Sequence, residues 1–345
     1  MIARHFRLAV IAIAATGFAT QAGATPLSSR QILHEFNAVV LADMHSQSHV
    51  DGRTWVGGNA SGGDYAQHAS DMPGSNYAGL TVMGNARDVK VNAGGTVVGG
   101  NLGGASINAG SAVIYGDVSN SNLNGAAWVG GSLKASNTNG GRVASLDSTM
   151  QANADAARST DFSAQLGALS ASLARMSGTG SSVTFNGHGK ATFNAVADAN
   201  GVAVFNLFDA GVFKASEFEF NLGEATTVIL NASDLSATIG ANFLGGSAQA
   251  VGSKLIWNFR HATSITTNAL FGGTILAPSA RLTNNQNIEG GVFVDSLDQR
   301  GELHLQAFDG NLDPGPGPLP VPEPGTWALL FAGALMLALT RRRTS

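Results

Sequence analysis

The chain contains no cysteine and few charged side chains. The first shortage excludes cysteine-based sites, and the second excludes a fold held together mainly by ion pairs. Without cysteine among 345 residues, disulfide staples, thiolate metal sites and cysteine nucleophiles are all excluded. Charged residues make up 12% of the chain, so ion pairs cannot supply most of its stability. Stability must come from packing, and a chain of this length can bury a substantial core.

Basic side chains are also scarce, and several of them lie at the two chain ends. Setting aside Arg4, Arg7 and Arg341–Arg343 leaves 14 basic side chains against 23 acidic ones, a balance of −9. An acidic surface of this kind argues against nucleic acid or an anionic lipid surface as the partner.

Residues 1–24 predict a secretory signal peptide. Arg4 and Arg7 form a positive start, residues 8–19 form an apolar core, and Ala22-Gly23-Ala24 provides an A-x-A cleavage site. A buried N-terminal helix is the alternative. We therefore expect export across the inner membrane and a mature chain that begins near Thr25.

The C-terminal residues 321–345 predict a sorting tail. Val321-Pro322-Glu323-Pro324 precedes a 13-residue apolar run, within a predicted transmembrane segment 326–340, and Arg341-Arg342-Arg343 follow. The arginines should stay on the cytoplasmic face. The run is short against the roughly 20 residues of a stable transmembrane helix, which suits brief anchoring before removal. An ordinary anchor helix is the alternative.

This tail resembles the PEP-CTERM sorting signal of Gram-negative bacteria, with all three parts in order. In that family an exosortase, a membrane-embedded cysteine protease, recognises the Pro-Glu-Pro motif and processes the tail. The resemblance implies an exosortase partner, transient membrane anchoring and final placement at the cell surface or in the extracellular matrix. The preceding residues 313–322 are rich in Pro and Gly and predict a stiff linker.

Between residues 76 and 132 the sequence repeats with a period of 16. The period separates the members of three sets: Asn76, Asn92, Asn108 and Asn124; Val82, Val98 and Ile114; Gly84, Gly100 and Gly116. Such a repeat is typical of a β-solenoid. We predict a mainly β fold, a right-handed parallel β-helix with about 16 residues per coil. The valines should stack inward, and the asparagines should form a structural amide ladder rather than a ligand site.

Residues 145–176 interrupt this pattern. Leu166, Leu169, Leu173 and Met176 follow a helical spacing, which predicts one or two helices lying alongside the solenoid. Ser145 is the predicted N-cap, and a bend is expected at residues 159–161. Strand-like segments resume at Val183 and continue to Val294. We expect them to complete the same solenoid, within one domain over residues 25–312.

Several sequence segments resemble the choice-of-anchor A domain over about residues 30–310. They are 37–43, 50–53, 56–59, 271–278 and 287–294. The resemblance implies an adhesive β-helix of bacterial surfaces. The closing segments also resemble β-helical ice-binding proteins, in which a helix lies beside the coils.

No catalytic motif is present: the sequence lacks G-x-S-x-G, a Walker loop, a complete dinucleotide fingerprint and H-E-x-x-H. We therefore predict a non-enzymatic protein without a cofactor. Two alternatives stay open. A loop folded back on itself would bring Asp43, His45, His49 and Asp51 to a metal ion. A polysaccharide-active β-helix enzyme would need acidic side chains that meet only in the fold.

The sequence favours an adhesin or an exopolysaccharide-associated structural protein of a biofilm. A long, weakly charged stack suits many shallow contacts with polysaccharide or another cell-surface ligand. Ice binding is the main alternative, but it requires a regular row of threonines. Thr192, Thr226, Thr227, Thr266 and Thr267 form no such row in the sequence.

Overall fold

The computed structural model describes residues 24–187, 189–207 and 210–312. The predicted signal peptide, including Ala22 of the cleavage site, and the linker and sorting tail from residue 313 onward lie outside these residues. Within them, no helix is both long enough and apolar enough to span a membrane.

Each regular coil consists of three short strands, one on each face of a parallel β-helix. In one coil these strands begin at Thr96, Leu102 and Ser106. Their parallel partners in the next coil begin 16 residues later, at Ala112, Val118 and Asn122. The predicted parallel β-helix and its period are confirmed.

The first face is called the helix face because helices cover it. Its strands, in stacking order, are Val202–Leu207, Thr227–Ala232, Leu255–Asn258, the first parts of Thr274–Asn284 and Val292–Gln299, then Ala38–Val40, Thr54–Val56, Leu80–Val82, Thr96–Val98, Ala112–Ile114 and Ala127–Val129.

The second face is called the groove face. Its strands are Ser236–Ile239, Ser264–Thr267, the second parts of Thr274–Asn284 and Val292–Gln299, then Met44–Ser46, Ala60–Ser61, Ala86–Arg87, Leu102–Gly103, Val118–Ser119 and Leu133–Lys134.

The third face is built from even shorter strands. They are Phe271–Gly272, Ile288–Glu289, Leu303–His304, His49–Val50, Asp64–Tyr65, Lys90–Val91, Ser106–Ile107, Asn122–Leu123 and Asn137–Thr138. A separate four-stranded sheet contains Ser182–Phe185, Lys190–Asn194, Glu217–Asn221 and Asn242–Phe243. Its first two strands form an antiparallel hairpin.

The stacking order differs from the chain order. The first strand, Ala38–Val40, pairs in parallel with Thr54–Val56 on one side and with Val292–Val294 on the other. The C-terminal coils therefore belong to the same solenoid, as expected, but they stack on the first coil and not on the coil at Ala127–Val129. We call this pairing the closure.

The helical insertion makes this order feasible because it carries the chain along the helix face. Helix α1 spans Ser29–Glu35, α2 spans Ser148–Ala156, α3 spans Phe162–Leu173, and the short α4 spans Ser247–Val251. Short 3-10 turns lie at Ala69–Asp71, Ala210–Lys214 and Leu244–Gly246. Helix α2 packs near the N-terminal coils, and α3 packs on the C-terminal coils.

The predicted helical segment is confirmed, with one local correction. Asp147 caps α2 by accepting a hydrogen bond from the Met150 amide at 2.8 Å, so the predicted cap at Ser145 is wrong. A carboxylate placed three residues before that amide can reach it, whereas Ser145 lies outside the first turn. Asp161 caps α3 in the same way, which places the bend between the helices where the sequence predicted it.

The interior of the solenoid holds an aliphatic column that the 16-residue period predicted. Val82, Val98 and Ile114 lie in register on the helix face with side chains pointing inward, and all three are 0% exposed. Each such burial stabilises the fold by about 1.5–3 kcal/mol. A charge introduced into this column would lie between aliphatic neighbours in adjacent coils.

We predict that Val98→Asp lowers the free energy of unfolding by several kcal/mol, because it buries an unpaired carboxylate. Thermal or urea unfolding followed by circular dichroism measures the loss. Val196→Asp is the matched control, since Val196 is 49% exposed and should tolerate the same change. Equal stability of the two variants would contradict the inward column.

Candidate binding face

The groove face carries an open concavity. Two adjoining cavities of about 760 and 420 Å³ lie on it and share Asn85 and Arg87. Together they extend from the coil of Arg281 to the coil of Lys134. With coils about 4.8 Å apart, this groove is about 34 Å long. A groove of this length suits an extended chain better than a compact small molecule.

Along each short strand of the groove face, successive side chains point alternately into the core and outward. The outward side chains line the groove. Leu102 points into the core while Gly103 points outward, and Ala86 and Arg87 repeat the arrangement one coil earlier. The outward residues of successive coils form one in-register row along the groove face: Thr238, Thr266, Thr283, Asp298, His45, Ser61, Arg87, Gly103, Ser119 and Lys134.

A ladder of polar side chains forms one edge of the groove. In each step a side-chain oxygen accepts a hydrogen bond from the backbone amide of the equivalent residue in the next coil, at 2.7–3.0 Å. The members are Asp43, Asn59, Asn85, Asn101, Asp117 and Ser132. We call this set the edge ladder. It fixes the corner between the helix face and the groove face.

The edge ladder explains why glycine precedes asparagine in the repeat. A Cβ atom on Gly100 would lie 2.5 Å from the Oδ1 atom of Asn85, closer than real Cβ contacts come. Glycine therefore leaves the space that the ladder oxygen of the previous coil occupies. At the end of the ladder, hydrogen bonds from the Ser132 amide and hydroxyl lower the pKa of Asp117.

Unpaired positive charge lies along the groove. Among the described residues, the exposed side chains of Arg281, Arg87 and Lys134 have no ion-pair or hydrogen-bond partner. Asp298, by contrast, pairs with Arg300 at 2.8 Å. These three basic residues were not predicted from the sequence. Arg87 and Lys134 occupy the same repeat position three coils apart, whereas the closure alone brings Arg281 into the same groove.

The asparagines predicted as a ladder lie at an edge of the third face. Asn108 donates to the Oδ1 atom of Asn92 at 2.9 Å, and Asn124 donates to the backbone carbonyl of Asn108 at 3.4 Å. Asn139 donates to Asn124 at 2.8 Å and extends the column beyond the predicted set. Asn76 does not belong to this column.

The exclusion of Asn76 is a correction with a simple cause. Leu80 pairs with Thr54 across 26 residues rather than 16, so an inserted loop, residues 66–79, contains Asn76. The buried guanidinium of Arg53 holds this loop by donating to the carbonyl oxygens of Tyr77 at 3.0 Å and Pro73 at 3.2 Å. Burial lowers the pKa of Arg53.

The four residues considered as one metal site are divided between two faces. Asp43 and His45 lie on the groove face, where Asp43 belongs to the edge ladder and His45 Nδ1 lies 3.0 Å from Ser61 Oγ. His49 and Asp51 lie on or beside the third face. The alternative of a four-residue metal site is therefore wrong, because the chain passes a corner of the solenoid between the two pairs.

A short threonine row exists where the sequence showed none. Thr238, Thr266 and Thr283 lie in register on adjacent coils of the groove face. Their separations along the chain are 28 and 17 residues, so no regular period reveals them. Asp298 occupies the same position in the next coil and ends the row.

A family model matches the part of the chain that forms this solenoid. The model described as "Putative Ice-binding-like adhesive domain" matches residues 29–305. The chain belongs to this family. The description fits an adhesive or ice-binding-like protein and names no catalytic activity. No curated protein and no solved structure matches the chain.

For the edge ladder we predict that Asn101→Ala lowers the free energy of unfolding by about 0.5–1.5 kcal/mol, because the Asp117 amide loses its acceptor. Urea unfolding measures the change. Asn101→Asp is the matched control, since aspartate occupies the equivalent place at positions 43 and 117 and keeps the acceptor oxygen. A larger loss for the aspartate variant than for the alanine variant would contradict the ladder.

Proposed function

We propose that the protein is a non-enzymatic surface adhesin that binds an extended, negatively charged polysaccharide along its groove face. The observation that carries the proposal is the continuous groove with three unpaired cationic side chains. Membership of an adhesive family supports it. The resemblance of the segments at residues 37–59 and 271–294 to the choice-of-anchor A domain supports the same role.

The spacing of positive charge along the groove favours a polymer. Arg281 and Arg87 are four coil levels apart, about 19 Å, and Lys134 lies three levels further, about 14 Å beyond Arg87. A small molecule cannot contact all three. A polysaccharide that carries a carboxylate or sulfate on successive units can reach each in turn.

The side chains of the groove fit the chemistry of an acidic sugar polymer. Arginine binds carboxylate and sulfate groups through paired N–H donors. The amide and hydroxyl groups of Asn85, Ser61 and Ser119 offer further contacts to sugar hydroxyls. Each contact is shallow, so useful affinity arises from many contacts made by one chain.

The carboxylates of the groove argue against hydrolysis. Glycoside hydrolases require a pair of carboxyl groups that act as acid and as nucleophile or base. Here Asp43 and Asp117 accept backbone hydrogen bonds in the edge ladder, and Asp298 pairs with Arg300. The groove is therefore better suited to holding a polysaccharide than to cleaving it.

We predict that Arg87→Gln and Arg281→Gln each weaken binding to acidic glycans by about tenfold, because each removes one charge-assisted contact. A glycan array with the purified protein identifies the ligand, and a titration of the best glycan measures the loss. Added salt should weaken the wild-type interaction as well, since the contacts are exposed.

Arg30→Gln is the matched control for this experiment. Arg30 is an exposed arginine on α1, away from the groove, and its loss changes the net charge by the same amount. Equal weakening by Arg30→Gln would show a general charge effect. Binding to neutral glycans alone, unchanged in the groove variants, would contradict the proposal.

Ice binding is the second candidate because of the row Thr238, Thr266 and Thr283. Regularly spaced threonines on a flat face are what this function requires, and the family description includes it. The row is short and ends at Asp298, so we favour the adhesin. Thermal hysteresis of the same purified protein separates the two functions.

We further propose that an exosortase processes the C-terminal tail and releases the protein to the cell surface or extracellular matrix. The support is the resemblance of residues 321–345 to the PEP-CTERM signal. Proline restricts its own backbone and that of the residue before it, so the sequence predicts an extended Glu323, which would suit a protease cleft just outside the membrane. Arg341–Arg343 would keep the tail from passing through the membrane.

We predict that Pro322→Ala combined with Glu323→Ala leaves export intact and accumulates a full-length, membrane-bound form. The intact mass of the protein recovered from cells measures the outcome. Arg30→Gln again serves as a control that should be processed normally. If the wild-type protein also retains its tail to Ser345, the segment is a plain anchor.

A further inference from the structure

We propose that His49, Glu302 and His304 form a binding site for a divalent transition-metal ion such as Zn²⁺, which joins the first coil to the last. The site lies on the third face, separate from the groove. Strands His49–Val50 and Leu303–His304 are neighbours there, with Val50 opposite Leu303. The three residues come from opposite ends of the described chain and meet only through the closure.

The geometry suits a metal ion. One nitrogen of His49, one nitrogen of His304 and one carboxylate oxygen of Glu302 all lie within 4.8 Å of one another. Glu302 is central, at 2.8 Å from His304 Nε2 and 3.6 Å from His49 Nδ1. Zinc ligands lie about 2.0–2.2 Å from the ion, so they are separated by a little over 3 Å. The ligand atoms must therefore move closer to one another by up to about 1.5 Å, which requires side-chain rotation.

Each histidine is also oriented by a second, buried carboxylate. Glu289, whose side chain is 5% exposed, contacts His304 Nδ1 at 2.7 Å. Asp51, whose side chain is 4% exposed, contacts His49 Nε2 at 3.4 Å. In both cases the other ring nitrogen faces Glu302. A carboxylate behind a ligating imidazole is the usual outer partner in metal sites, because it fixes the tautomer and the ring orientation.

Asp51 supplies a further sign of an incomplete site. Its Oδ1 atom is buried and accepts no well-formed hydrogen bond among the described residues, although His49 Nε2 lies 3.4 Å from it. The other oxygen, Oδ2, lies 3.2 Å from the Leu305 amide. A buried carboxylate oxygen without a donor is costly. When a metal binds His49 through Nδ1, the Nε2 atom carries the proton and can donate it to Asp51 Oδ1.

The ligand types decide the class of metal. Two imidazoles and one carboxylate suit zinc and similar transition ions, whereas calcium and magnesium prefer oxygen ligands alone. The three ligands are about a third exposed, so water can complete the coordination. Bound metal would stabilise the closure, because its ligands come from two coils that are far apart in sequence.

The test uses the purified chain after removal of metal with a chelator. We expect calorimetric titration with ZnCl₂ to show one ion per chain, and the Tm to rise on zinc addition but not on addition of Ca²⁺ or Mg²⁺. His49→Gln and His304→Gln should abolish both effects. Glu289→Gln should weaken zinc binding by about 10–100-fold, as loss of an outer partner does elsewhere.

His45→Gln is the matched control, because His45 lies on the groove face and should not affect zinc binding. Co²⁺ added to the wild-type chain provides a readout that requires no variant. We expect the intense visible absorption of a four- or five-coordinate ion. Only the weak spectrum of hydrated Co²⁺, or zinc binding that is unchanged in His49→Gln, would overturn the proposal.

Discussion

The parallel pairing of Ala38–Val40 with Val292–Val294 is the interaction on which the rest of the structure depends. It joins two blocks of coils, one before and one after the helical insertion in the chain. In the stack, the block that comes later in the chain lies next to the first coil. The groove crosses this junction, with Arg281 on one side and Arg87 on the other. The cluster of His49, Glu302 and His304, which we call the histidine cluster, also lies at the junction. Such distant contacts make folding slow, since a long loop must close before the pairing is gained.

Within each block, stability comes from repetition. Each coil adds aliphatic side chains to the interior column and one hydrogen bond to the edge ladder. These side chains and this hydrogen bond contact the neighbouring coils of the stack. Glycine at positions such as Gly100 is required because the ladder oxygen of Asn85 occupies the space of a Cβ atom. The chain therefore stacks without disulfides, and its polar outer rows remain free for binding.

The sequence predicts the regular coils well because identical spacing imposes identical register, as for Val82, Val98 and Ile114. The prediction for Asn76 is wrong because a ten-residue insertion leaves the numerical spacing from Asn92 unchanged while moving the residue into a loop. The closure, the threonine row and the histidine cluster were not predictable from periodicity. Their members pair across irregular separations, as His49 and His304 show.

The closure can be tested directly because the chain has no cysteine of its own. His45 and Asp298 are in-register partners across it, and adjacent parallel strands bring such Cα atoms to about 4.8 Å, within disulfide range. We predict that His45→Cys with Asp298→Cys forms an intramolecular disulfide under mild oxidation. Lys134→Cys with Thr238→Cys should remain reduced. A disulfide in the second pair and none in the first would indicate a solenoid stacked in simple chain order and would contradict the account.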